Sequence, residues 1–133
     1  MKLEDQVTNL ELSKKLKELG VKQESYFYWV ITMSCDYHIS IYDGELPEIL
    51  KSRNDCYSAF TVAELGEMLP FSIFNQYGNN LYLELDKFQG ELWNYYYSGA
   101  DHYDLDDKNY EKSEADARAV LLIRLIKNKL IKL

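Results

Sequence analysis

Leu81-Tyr-Leu-Glu-Leu-Asp-Lys-Phe-Gln-Gly-Glu-Leu-Trp-Asn-Tyr-Tyr-Tyr97 is the stretch that decides the fold. Leu81, Leu83 and Leu85 alternate with Tyr82, Glu84 and Asp86, as in a strand with one buried face. Beyond a glycine-bearing turn, Trp93, Tyr95 and Tyr97 alternate with Asn94 and Tyr96. Two such runs predict an antiparallel hairpin. With Phe88-Gln89-Gly90 as its loop and Gly90 in the left-handed bulge position, Leu85 pairs with Trp93, Leu83 with Tyr95 and Leu81 with Tyr97. A loop one residue shorter would set Leu83 opposite Asn94. Burial favours the first register, because a one-residue slip turns the whole apolar set over.

Upstream, Thr8 and Glu11 form a capping-box pattern, and Leu12, Leu16 and Leu19 draw one apolar stripe before Gly20, predicting a helix over 9–19. Residues 25–33 are aromatic and β-branched, predicting a strand with Phe27, Trp29, Ile31 and Met33 on one face. His38–Tyr42 is its expected partner across a turn near 34–37, before Asp43-Gly44 breaks the chain. Residues 47–51 suit one short helical turn. Thr61 and Glu64 open a second capping box on a helix that Pro70 ends, with Val62, Leu65 and Leu69 inward. Gly66 inside that helix costs about 1 kcal/mol against alanine, which implies a close neighbour.

Downstream, residues 98–112 read as an acidic, tyrosine-dotted loop or edge strand. Ser113 caps a last helix with acids in its first turn and Arg124, Lys127, Lys129 and Lys132 toward its end. Ala115, Ala119, Leu122 and Ile126 form its expected buried stripe. These elements predict one α+β domain over 1–133: a twisted antiparallel sheet of about four or five strands packed against about three α-helices.

The 133 residues include 12 tyrosines, and the net charge is −7. That charge argues against direct nucleic-acid binding or an anionic membrane, both of which need a basic stripe. The start has no apolar run after Lys2, and Ala119–Ile123 is far too short to span a bilayer. A bacterial cytoplasm, with Cys35 and Cys56 as reduced thiols, is the expected setting.

Cys35, His38, Cys56 and His102 number enough for a tetrahedral zinc site, but only one pair is close in sequence. Asp101, Asp104, Asp106, Asp107 and Glu111 resemble a calcium loop in charge alone, lacking the glycine at its turn. His102 between Asp101 and Asp104, or Cys35 near His38, has no catalytic signature around it. The helix ending Leu-Gly-Val21 suggests the start of a helix-turn-helix, but a bulky aromatic strand follows instead of a recognition helix. No cofactor, metal or catalytic residue is assigned. Tyr82, Trp93, Tyr95, Tyr96, Tyr97 and Tyr103 exceed what one core face needs, and mark a candidate interaction surface.

Glu11–Ser25, Thr61–Pro70 and Glu114–Ile123, with Phe27-Tyr-Trp-Val30 after the first and a tryptophan strand before the last, resemble small hypothetical proteins of bacterial phages, prophages and other mobile elements. The resemblance implies a mobile-element accessory protein and lends no catalytic or ligand residues. The leading expectation is a non-catalytic protein acting through a host or phage protein partner or through self-association. An acidic nucleic-acid mimic that blocks a host defence nuclease, through the acidic residues named above, is the second. A small hydrolase or metal-dependent enzyme is the third.

Overall fold

Pairing of Trp29 with both Ile39 and Tyr57 places the first aromatic strand at the centre of a sheet, flanked on each side. The computed structural model describes residues 1–42, 48–74, 77–99 and 110–133. After a 3-10 turn at Leu3–Asp5 come α1 (Leu10–Glu18), β1 (Phe27–Ile31), β2 (Tyr37–Ile41), the single turn α2 (Glu48–Lys51) and β3 (Tyr57–Ser58). Then follow α3 (Val62–Met68), β4 (Ser72–Phe74), β5 (Asn80–Phe88), β6 (Leu92–Ser98) and α4 (Glu114–Lys127). The class is α+β, but the strands form two three-stranded antiparallel sheets, ordered β2-β1-β3 and β4-β5-β6. The extra strands β3 and β4 span two and three residues, too few for a periodic signal.

The main core lies where α4 meets β6, α3 and α1. Ala115, Ala117, Ala119, Leu121, Leu122, Ile123 and Leu125 are buried along α4, a wider face than one stripe. Small residues in its first turns allow close approach, while the leucines fill space between Leu16, Phe60, Leu65 and Tyr97. Ser113 caps this helix, accepting from the Asp116 amide at 3.1 Å. Both halves of the capping box on α3 are made: Glu64 N donates to Thr61 Oγ1, and Thr61 N to Glu64 Oε2. Among the described residues no helix is long and apolar enough to cross a membrane.

Three local expectations are corrected. The cap of α1 is Asn9, whose side chain accepts from Leu12 N at 2.9 Å. Thr8 is instead fully buried: its Oγ1 accepts from Phe60 N at 3.0 Å and lies 2.7 Å from Ser13 Oγ. On β1 the buried residues are Tyr28 and Val30, while Phe27, Trp29 and Ile31 are half-buried and Met33 is fully exposed. Tyr28 and Val30 pack with Cys56, Tyr42 and Leu50 in a second, smaller core. The hairpin register is displaced by two residues: Leu85 faces Tyr95, Leu83 faces Tyr97 and Lys87 faces Trp93. Phe88 belongs to β5, so the loop is Gln89-Gly90-Glu91, with positive φ at Gln89 (51°) and Gly90 (75°).

Candidate protein-binding face

The β4–β6 sheet has two chemically different faces, because alternate residues of each strand point to opposite sides. Ile73, Leu81, Leu83, Tyr95 and Tyr97 share the inner face against α4. Tyr97 is fully buried and donates its hydroxyl to Pro70 O, and burial pushes its pKa up to about 12. The Tyr95 hydroxyl donates to Glu114 Oε1 and accepts from Arg118 Nη2 at 3.0 Å, while the guanidinium lies 4.6 Å from the ring centroid. Burial, then the hydrogen bond to Glu114, raises the Tyr95 pKa. Tyr95 and Tyr97 are therefore core residues, and the expected surface loses both. Trp93 also points inward: half-buried, it packs on the core edge beneath Lys87 Nζ, 4.2 Å from the ring centroid.

The outer face is different. The pairs Ser72–Tyr82, Phe74–Asn80, Glu84–Tyr96, Asp86–Asn94 and Phe88–Leu92 lie across it. Phe74 is 69% exposed, Tyr82 46% and Phe88 47%. Phe71, just before β4, is 76% exposed and meets the Tyr82 ring edge-on at 5.8 Å. Tyr77, at the turn between β4 and β5, is also exposed. At the far end the Tyr110 ring packs 5.5 Å from Phe88, and its hydroxyl donates to Asp86 Oδ2, which raises the Tyr110 pKa. Covering these rings would remove roughly 500 Å² from water, within the size range of functional patches on monomers.

Of the residues expected at the surface, Tyr82 and half-buried Tyr96 are together on this face, opposite Tyr95 and Tyr97. Tyr103 lies outside the described residues, as do Asp101, Asp104, Asp106 and Asp107 of the expected acidic patch. Glu111 alone of that patch is described. It is half-buried, its backbone pairs with Trp93 in both directions, and burial followed by the nearby Asp116 raises its pKa. Phe71, Phe74 and Phe88 carry no signal of this face in the sequence: Phe71 precedes and Phe74 ends a strand too short to show alternation, and Phe88 falls in the loop that the sequence predicts.

An open cleft of about 620 Å³ lies between the start of the chain, α3 and the start of α4, with Phe27, Val62 and Trp93 on its wall. Of its polar side chains, Thr61, Ser113 and Glu114 are already engaged, two as helix caps and one with Tyr95 and Arg118. Neither histidine nor cysteine lines it among the described residues. Cys35 is exposed, Cys56 is buried with its thiol pKa pushed up by that burial, and His38, exposed on β2, pairs with Ser40. His102 lies outside the described residues. Among the described residues no group of three or more His, Cys, Asp or Glu could hold a metal.

Comparison with known proteins gives no matching family model, no matching curated protein and no matching solved structure.

Proposed function

We propose that the chain is a non-catalytic protein-binding domain that docks through the outer face of the β4–β6 sheet. In keeping with the resemblance of its sequence, it serves as an accessory protein of a bacterial phage or other mobile element, in the cytoplasm of the host. The observation that carries this reading is the line of exposed rings Phe71, Phe74, Tyr82 and Phe88 on a sheet whose opposite face is packed against α4. Aromatic side chains supply large contact area with few rotatable bonds, which is why interface cores are enriched in them. The cleft offers less, since three of its polar side chains already serve the fold. Glu111 gives the nucleic-acid mimic no support, because it is half-buried and locked to Trp93.

The double variant Phe74→Ser/Tyr82→Ser tests the reading. A complex or oligomer isolated with the native chain is expected to be lost, with secondary structure and melting temperature unchanged. Retention of the same assembly by a folded double variant contradicts it.

A further inference from the structure

The outer face carries a charge pattern as well as rings. Its strand residues among those described are Ser72, Phe74, Asn80, Tyr82, Glu84, Asp86, Phe88, Leu92, Asn94, Tyr96 and Ser98, and the only charged ones are the two carboxylates. Glu84 is exposed and stands between Tyr82 and Asp86 along β5. The one lysine of β5, Lys87, points to the other side, over Trp93. Elsewhere the molecule places its own cations on aromatic rings: Lys14 over Tyr37, Lys17 over Tyr57 and Arg118 over Tyr95. No such cation lies over Phe74, Tyr82 or Phe88 among the described residues. The described strand residues of this face offer rings and carboxylates and no lysine or arginine, the complementary chemistry of a cationic side chain, which stacks on the ring and pairs with the acid.

Resting on the docking role of this face, we infer that its partner is an arginine- or lysine-bearing amphipathic segment of another protein. The apolar side chains of that segment cover Phe74, Tyr82 and Phe88, and a cation reaches exposed Glu84, beside half-buried Asp86, which already accepts from Tyr110. A second copy of the chain fits worse. Two copies meeting through this face would bring their Glu84 and Asp86 carboxylates together, each copy already carrying a net charge of −7. Nucleic acid is repelled by the same carboxylates.

The test uses the full chain and three synthetic amphipathic peptides of one length and one apolar pattern, with arginine, glutamate or serine at the polar positions. Binding is followed by calorimetry at two salt concentrations. The arginine peptide is expected to bind at least ten-fold tighter than the other two, and more weakly at high salt. Glu84→Lys should weaken it ten-fold or more. Glu11→Lys, which makes the same change in net charge on the exposed side of α1, should change it less than two-fold. Equal losses in the two variants, or equal binding of all three peptides, overturn the inference. Light scattering separates this failure from that of the docking role. A dimer that Phe74→Ser/Tyr82→Ser dissociates keeps the face as an interface and removes the cationic partner. A double variant that binds every peptide as the native chain does removes both.

Discussion

Gly66 in α3 and Arg118 in α4 are in contact: a β-carbon built on Gly66 would come within 2.6 Å of Arg118 Nη1. The guanidinium is held there by Glu114 Oε1, by the Tyr95 hydroxyl and by stacking on the Tyr95 ring. The helix accepts a residue of poor helical propensity so that the arginine can lie flat between two helices and a strand. Alanine at position 66 should gain about 1 kcal/mol of helix propensity and lose more through displacement of the arginine. Gly66→Ala is therefore expected to destabilise the native chain by about 1 kcal/mol, and to stabilise an Arg118→Ala background by a similar amount. Urea unfolding of the four proteins of this cycle checks the change of sign.

Thr8 and Asn9 are adjacent and do different work. Asn9→Ala removes a helix cap and should cost about 1 kcal/mol. Thr8→Val keeps the shape but leaves the buried Phe60 amide without its acceptor and the Ser13 hydroxyl with only its longer bond to Thr8 O. Its expected cost is about 2–3 kcal/mol. The two urea midpoints, compared at constant slope, order the effects, and the reverse order would restore Thr8 as the cap.

Tyr97 links stability to alkaline pH. Its folded pKa of about 12 lies above the ordinary value of 10, so above pH 10 the unfolded chain loses this proton first. Stability from this group is complete below pH 10 and is lost as pH rises toward 12, and raised Tyr95 steepens the fall. Tyr97→Phe should lower stability near neutrality by about 1–2 kcal/mol, because Pro70 O loses its donor, and should flatten the alkaline limb. Thermal melts between pH 8 and 11 read both effects.

Phe74→Ser and Tyr82→Ser, by contrast, change side chains that face outward. Each is expected to shift unfolding free energy by no more than about 0.5 kcal/mol and to raise the solubility limit. A loss of several kcal/mol in either would place these rings in the core.

The fold was legible where a pattern ran long enough. Ser113, Thr61 and Gly66 were read correctly because capping and glycine costs are local chemistry that packing did not override. The hairpin strands were equally plain, but their register was not: a two-residue displacement leaves Leu83, Leu85, Tyr95 and Tyr97 on the same face, so burial could not distinguish the two pairings. On β1, bulky residues fill both faces, and Tyr28 and Val30 won the core because Cys56 and Tyr42 lie on their side. The candidate face was half legible. Tyr82 and Tyr96 alternate visibly with the leucines and the buried tyrosines. Phe71 and Phe74 join them only because a three-residue strand pairs Ser72 with Tyr82, a tertiary event with no signature of its own.

The docking role of the outer face is tested most directly by site-specific photo-crosslinking in living bacteria, with a benzophenone side chain at Tyr82 and, as the control, at exposed Met33. A discrete adduct formed from position 82, absent from position 33 and lost with Phe74→Ser, is the predicted result. The same adducts from both positions, or none from position 82, would contradict it.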